Sequence, residues 1–191
     1  MNIVGRKAPI FRTDAAIGQS LRDISLLHYQ IENKWVVLFF YPLDFTFVCP
    51  TEIVSLSDRI SEFEALNTQV LGVSVDSVHT HLAWMRTPRS EAGVGEISFP
   101  LLSDLDKSIS EDYGVLHEDK SLRGTFLIDP DGTVQSCTIN NLPVGRNVDE
   151  ILRTIQAYQY VRVHNETCPA NWKAGQEGMP ESLEGVKSTI G

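Results

Sequence analysis

The run Trp35-Val-Val-Leu-Phe-Phe-Tyr41 constrains the fold most, because its apolar side chains continue for seven residues without polar alternation. A strand with one face in water alternates apolar and polar residues, whereas a continuous apolar run indicates a strand that is covered on both faces. We therefore expect this segment at the centre of a sheet with helices on both sides. Pro42 ends the run.

The other predicted elements alternate between helix and strand. Apolar residues at steps of three and four predict an amphipathic helix over 50–66, with Pro50 in its first turn. Asn147 and Glu150 have the spacing of a cap for a helix that starts at 148. The remaining predictions are strands at 69–75, 125–129 and 133–139, helices at 80–86 and 104–113, and a hairpin turn at Pro130-Asp131-Gly132. This order predicts an α/β fold.

Length and charge restrict the functional classes. A chain of 191 residues with 42% hydrophobic residues fits one globular domain with a sizeable core. The net charge of -9 argues against nucleic acid as a partner, because binding to phosphates relies on clustered Lys and Arg. The first twelve residues contain no long apolar core, so we expect neither a signal peptide nor a membrane span, and a cytoplasmic protein.

The chain has three cysteines, Cys49, Cys137 and Cys168, an odd number that indicates reduced thiols rather than a disulfide framework. Cys49 falls between a predicted buried strand and the start of a helix, where free N–H groups and the helix dipole favour an anion such as a thiolate. The alternative is a buried, inert cysteine. Thr46 could direct its hydroxyl toward the sulfur or be an ordinary loop residue, and Pro42 would rigidify the turn and shield the site from water.

The segment YPLDFTFVCPTE contains Pro42-x3-Thr46-x2-Cys49 and resembles the active-site signature of the peroxiredoxins. The blocks WVVLFFYPLDFTFVCPTEI, HLAWMRTPR, FPLLSDLDKSISEDYGVL, LRGTFLIDPDG, INNLPVGRNVDEILRTIQAYQY and ETCPANWKAG resemble, in order, those of the typical two-cysteine subgroup. The resemblance implies a thioredoxin-like fold, in which helices flank a mixed central sheet, with an N-terminal extension. It further implies a peroxiredoxin domain over 1–160 and a C-terminal arm over 161–191.

The resemblance also implies residue roles. Cys49 would be the peroxidatic nucleophile, Thr46 would hydrogen-bond the peroxide, and Arg123 would stabilise the thiolate and the transition state. Glu52 and Arg146 would orient Arg123, although without the resemblance all three charged residues could be exposed surface groups. The chemistry requires no metal and no organic cofactor.

Cys168 would be the resolving cysteine, which attacks the sulfenic acid of the neighbouring subunit and gives an intersubunit disulfide. A homodimer follows from this role, and the family also allows a ring of five dimers. Both the first turn of the active-site helix and the C-terminal arm would have to unwind locally during the cycle. The expected substrates are hydroperoxides, and the expected electron donor is thioredoxin, with a flavoprotein disulfide reductase as the alternative.

Other residues with reactive side chains have simpler explanations. Cys137 lies in a predicted strand and is interpreted as a packing residue. Asp76, His79 and His81 lack a third carboxylate or cysteine for a metal site, so we expect surface or capping roles. A holdase chaperone or peroxide-signalling scaffold is a rival function. A thiol–disulfide oxidoreductase is disfavoured because Cys49 is not part of a C-x-x-C motif.

Some members of the family are readily inactivated by their own hydroperoxide substrate, and two segments of this chain differ from the matching segments of those members. Those members carry a Gly-Gly-Leu-Gly insertion and a C-terminal helix with a Tyr-Phe pair. Here the matching loop reads Ala92-Gly93-Val94-Gly95, and the last six residues contain no aromatic pair. We therefore expect an arm that docks weakly and an enzyme that resists over-oxidation.

Overall fold

The computed structural model describes residues 3–190. Its strands are β1 (Arg12–Ile17), β2 (Ser20–Ser25), β3 (Trp35–Phe40), β4 (Thr68–Ser74), β5 (Leu101–Ser103), β6 (Leu116–His117), β7 (Lys120–Ser121), β8 (Arg123–Ile128) and β9 (Val134–Asn140). Its helices are α1 (Leu26–Ile31), α2 (Cys49–Asp58), α3 (Ile60–Ala65), α4 (Val78–Arg86), α5 (Ser108–Asp112), α6 (Val148–His164) and α7 (Leu183–Ile190), with a short 3₁₀ turn at Arg89–Glu91.

One mixed sheet organises the first part of the chain, with the strand order β2-β1-β5-β4-β3-β8-β9. Strands β3, β4 and β5 are parallel, whereas β1, β2, β8 and β9 join the sheet antiparallel to their neighbours. Helix α3 contacts β4, and α4 contacts β1 and β5. The predicted α/β fold, with helices beside a mixed sheet, is confirmed.

Strand β3 lies inside this sheet, as its apolar run predicts. Every residue of β3 is buried. Val37 pairs with Val70 of β4 on one side and with Leu127 of β8 on the other, so both edges of the strand are hydrogen-bonded. Side chains of a strand point alternately to opposite faces, and Phe39 and Phe40 are both fully buried. Because β3 is buried and hydrogen-bonded along both edges, it fixes the starting point of the loop that follows it.

The helix predicted over 50–66 is in fact two helices, α2 and α3. Arg59 separates them with φ -112° and ψ 16°, outside the α-helical region. Its N–H bonds the carbonyl of Leu56, three residues earlier, which is the tighter pattern found where a helix ends. The apolar spacing continues on both sides of Arg59, so the periodicity alone predicts a single helix.

The helix predicted over 104–113 is shorter, because it begins only at Ser108. Lys107 has a positive φ of 67°, which stops regular helix before it. The buried carboxylate of Asp104 accepts the N–H groups of Ile109 and Ser110 at 2.9 and 2.7 Å, and so satisfies the first turn of α5.

The chain divides into two compact units, one ending at Arg146 and one beginning at Asn147. The Asn147 side chain accepts the N–H of Glu150 at 3.2 Å, so the predicted cap of α6 is confirmed. The sequence from Cys168 onward is rich in Gly, Pro and Glu and has no sustained apolar period, which predicts an extended arm. This prediction is wrong for α7, where the Ser182 hydroxyl accepts the N–H of Gly185 at 3.0 Å. The functional boundary between 1–160 and 161–191 stays a prediction.

Candidate active site

Cys49 is the first residue of α2 and is completely buried. The chain leaves β3 at Phe40, crosses a loop and enters the helix with Val48 as its cap residue and Pro50 in the first turn. Proline suits this position because its fixed φ matches a helix and its missing N–H would have no partner there. The Cys49 sulfur thus lies at the start of a helix, where the positive end of the helix dipole stabilises negative charge.

Thr46 is the first polar contact of the sulfur. Its Oγ1 lies 3.0 Å from Cys49 Sγ and 2.7 Å from the carbonyl oxygen of Leu43. A hydroxyl carries one hydrogen, so it cannot donate to both partners at once. With a protonated Cys49, the thiol can donate to Thr46 while Thr46 donates to Leu43. With a thiolate, the hydroxyl can turn and donate to the sulfur, so it can serve both protonation states.

Arg123 supplies positive charge at the sulfur. It is the first residue of β8, and its Nη1 lies 3.4 Å from Cys49 Sγ. The guanidinium is 4% exposed and is held by hydrogen bonds to Glu52 Oε2 at 2.6 Å and to the Leu142 carbonyl at 2.7 Å. A buried, fixed cation at this distance stabilises a thiolate and any oxygen anion that forms beside it.

Glu52 joins Arg123 to a second buried arginine. Its Oε1 accepts Arg146 Nη1 at 2.8 Å and the Arg146 backbone N–H at 2.9 Å. Arg146 further donates to the carbonyls of Gly124 and Phe40. Burial lowers the pKa of Arg146 to about 10, against the opposing effect of the Glu52 charge, so Arg146 remains charged at neutral pH.

These buried groups carry unequal charge. Arg123 and Arg146 bring two positive charges, whereas Glu52 brings one negative charge, and all three side chains are at most 4% exposed. An unbalanced buried charge is costly, so a further anion is favoured there. Cys49, whose sulfur lies 3.4 Å from Arg123, is the side chain placed to carry such an anion.

The loop between β3 and α2 is held by a cluster that the sequence analysis missed. The Asp44 carboxylate lies 2.7 Å from His81 Nδ1 and accepts the Tyr41 hydroxyl at 2.8 Å. The Asp44 N–H donates to the carboxylate of Asp76 at 2.9 Å. Burial raises the pKa of Asp44, while its hydrogen bond to His81 acts in the opposite direction. Pro42 is buried within this loop.

The surface or capping role expected for His81 is therefore wrong, because its ring is fully buried with a hydrogen-bonding partner at each nitrogen, Asp44 and the Leu102 carbonyl. Asp76 does not cap α4, because Ser77 is the cap of that helix; instead Asp76 accepts the Asp44 N–H and the Ser74 hydroxyl. The signal for His81 was its spacing, three residues after Val78 and four before Met85, which places it on the buried face of α4.

The other two cysteines are also free thiols. Cys137 in β9 is half-buried and packs against the main core cluster, as predicted, and burial raises its pKa. Cys168 follows α6 in the second unit, with its Sγ 3.6 Å from the Ala157 carbonyl oxygen. Burial raises the pKa of Cys168, while Arg153 acts in the opposite direction.

Within residues 3–190, no group of three or more His, Cys, Asp or Glu side chains is arranged to hold a metal ion. No helix in that range combines the length and the apolar character needed to cross a membrane.

A thioredoxin-like sheet that delivers a buried cysteine to a helix start, with threonine and arginine at its sulfur, defines a cysteine-dependent peroxidase. Comparison with known proteins agrees. The AhpC/TSA family matches residues 4–137, and the C-terminal domain of 1-Cys peroxiredoxin matches residues 157–190. The chain therefore belongs to the AhpC/TSA family.

Individual relatives cover almost the whole chain. The chloroplastic 2-Cys peroxiredoxin BAS1 of Hordeum vulgare is 54% identical over 97% of this chain and 89% of its own length. The structure of reduced Plasmodium vivax 2-Cys peroxiredoxin superposes with a TM-score of 0.96 at 48% identity, covering 100% of this chain and 99% of the other. Plasmodium yoelii thioredoxin peroxidase I has a TM-score of 0.80 at 46% identity, covering 90% and 99%.

These relatives confirm the main functional prediction: the protein is a peroxiredoxin, a thiol-dependent peroxidase. They do not favour the rival hypothesis of a holdase chaperone or signalling scaffold. The structure brings together Thr46, Cys49, Glu52, Arg123 and Arg146.

Proposed function

We propose that the Cys49 thiolate attacks the terminal oxygen of a hydroperoxide. The sulfur–oxygen bond forms as the O–O bond breaks, and the leaving alkoxide or hydroxide takes up a proton, giving a sulfenic acid and an alcohol or water. The observation that supports this step most directly is the position of Cys49 Sγ, 3.0 Å from a hydroxyl and 3.4 Å from a guanidinium.

The surrounding residues have separate tasks in this proposal. Thr46 hydrogen-bonds the peroxide and orients it toward the sulfur. Arg123 stabilises the thiolate and the negative charge that develops on the leaving oxygen. Glu52 holds Arg123 in place and is itself held by Arg146. Pro42 keeps the loop rigid and restricts water.

We further propose that Cys168 of a second copy of the chain resolves the sulfenic acid. The Cys168 sulfur bonds to the Cys49 sulfur, and the hydroxyl of the sulfenic acid leaves as water with the thiol proton. The enzyme is accordingly a homodimer, in which residues 1–160 carry the peroxidatic site and 161–191 carry the resolving cysteine. The family allows five such dimers to close into a ring.

Thioredoxin is the proposed reductant of this disulfide, supported by the similarity to Plasmodium yoelii thioredoxin peroxidase I. A flavoprotein disulfide reductase is the alternative donor. We also propose a cytoplasmic location, although the Hordeum vulgare relative is named as chloroplastic.

The test is peroxide turnover with thioredoxin and thioredoxin reductase, compared with the same assay using a flavoprotein donor. We expect turnover with thioredoxin and no turnover by Cys49→Ser. Faster cycling with the flavoprotein would overturn the choice of donor, whereas cycling by Cys49→Ser would overturn the proposed nucleophile.

A further inference from the structure

The segment around Cys168 is a closed loop rather than an open strand. Thr167 and Met179 pair through two backbone hydrogen bonds of 2.9 and 2.7 Å, and the Thr167 hydroxyl adds a third to the Met179 carbonyl at 2.8 Å. The two ends of the segment are thereby held together, as in compact Ω-loops. Cys168 directly follows Thr167, so it lies at the closure.

One tyrosine hydroxyl fastens this loop to α6. Tyr160 donates to Glu166 Oε2 at 2.7 Å and accepts the N–H of Gly178 at 2.8 Å. Glu166 and Gly178 lie at opposite ends of the loop, next to Thr167 and Met179. A β-carbon on Gly178 would lie 2.6 Å from the Tyr160 ring, so the close approach depends on glycine. We call Tyr160, Glu166 and Gly178 the clasp.

The closed loop has a filled interior that also restrains Cys168. Trp172 is 2% exposed, its ring centre lies 5.1 Å from that of Tyr160, and its carbonyl accepts Arg153 Nη1 at 3.1 Å. The Cys168 sulfur lies 3.6 Å from the Ala157 carbonyl of α6. The loop closure and this contact hold the Cys168 sulfur beside α6.

We propose that Tyr160 and Glu166 are positioning residues that restrain Cys168 and so set the rate of its attack on oxidised Cys49. This inference rests on the proposed resolving role of Cys168. While the loop is closed, a second hydroperoxide can oxidise the sulfenic acid to the sulfinic acid, releasing alcohol or water. The clasp therefore sets the ratio of over-oxidation to disulfide formation.

The substitution Tyr160→Phe separates the effect of the clasp hydrogen bonds from the effect of ring packing. It removes the hydroxyl and both of its hydrogen bonds, but keeps the ring that packs on Trp172 and stacks on His164 at 4.1 Å. Losing two partly buried hydrogen bonds shifts the opening equilibrium by about tenfold. Tyr158→Phe removes a hydroxyl from the same helix outside the clasp and is the matched control.

The experiment follows a single turnover by stopped-flow fluorescence after mixing reduced protein with hydrogen peroxide. In Tyr160→Phe the first phase, oxidation of Cys49, should be unchanged, whereas the second phase, disulfide formation, should be about tenfold faster. The peroxide concentration that converts half of Cys49 to sulfinic acid should rise by the same factor. Glu166→Gln keeps an acceptor for Tyr160 and should give a smaller change.

A second measurement reports opening without the disulfide. In a Cys49→Ser, Cys137→Ser background, a thiol reagent should label Cys168 about tenfold faster when Tyr160→Phe is added. If Tyr160→Phe shows a labelling rate of Cys168, or a rate of the second phase, that is no faster than in Tyr158→Phe, the proposed role of the clasp is overturned. A second phase that persists in Cys168→Ser contradicts the resolving role instead, and the labelling rate then still tests the clasp.

Discussion

The Nη1 atom of Arg123 lies 3.4 Å from the Sγ atom of Cys49, and the same nitrogen donates to Glu52 at 2.6 Å. One guanidinium group therefore contacts both the Cys49 sulfur and the carboxylate of Glu52, which holds the guanidinium in place. Glu52 balances only one of the two buried arginines, so the site favours a further anion, which in our proposal is the thiolate of Cys49.

Arg123→Ala should slow the oxidation of Cys49 by about 10- to 100-fold, the expected effect of losing a hydrogen bond to a charged group. The measurement is the first stopped-flow phase with hydrogen peroxide. Arg12→Ala, which removes an exposed arginine, is the control. Equal rates in both variants would show that Arg123 is only structural.

Thr46→Val should slow Cys49 oxidation strongly, by about 100-fold or more, because a methyl group replaces the hydroxyl 3.0 Å from the sulfur. Thr46→Ser keeps the hydroxyl and should stay within about tenfold of the wild type. The comparison uses the same rapid-mixing assay at several peroxide concentrations. A valine variant as active as the serine variant would exclude a role for the hydroxyl.

Glu52→Gln should destabilise the fold by about 3–5 kcal/mol, because two buried arginines lose their shared counter-charge. Urea denaturation of the reduced protein measures this change. Glu150→Gln is the control, since Glu150 forms an exposed ion pair with Arg153 and should cost less than about 1 kcal/mol. Similar costs for the two variants would contradict the buried network.

The centre of the fold could be predicted because its signals are local and strong. The apolar run of β3 and the Asn147 cap correspond directly to observed structure. The β1–β2 hairpin was missed, because its residues are largely polar and partly exposed. The break at Arg59 and the late start of α5 depend on single backbone angles, which periodicity does not encode.

The site residues were predicted from a resemblance to a family, whereas the contacts that support them are visible only in the three-dimensional structure. Nothing in the spacing of Asp44 and His81, which are 37 residues apart, indicates that they form a buried pair. The clasp of Tyr160 with Glu166 and Gly178 is similarly hidden, because it depends on the path of the chain after α6.

Resistance to over-oxidation is expected from the loop Ala92-Gly93-Val94-Gly95 and from a C-terminal segment without an aromatic pair. Burial of two aromatic rings would contribute roughly several kcal/mol to docking of the C-terminal arm. Their absence therefore favours the state in which the arm is undocked. The measurement cycles the enzyme with thioredoxin at rising peroxide and follows the sulfinic mass of the Cys49 peptide. Cys168→Ser, which has no resolving thiol, should over-oxidise first. Early sulfinic accumulation in the wild type would refute the expectation.

The central claim is that Cys49 is the nucleophile and that Cys168 of another subunit resolves it. The most direct measurement treats wild type, Cys168→Ser and Cys137→Ser with one equivalent of peroxide, then combines non-reducing electrophoresis with mass analysis of the linked peptides. We predict a covalent dimer joined through Cys49 and Cys168 in the wild type and in Cys137→Ser, and no such band in Cys168→Ser. An oxidised wild type that runs as a monomer, or a dimer linked through Cys137, would contradict the account.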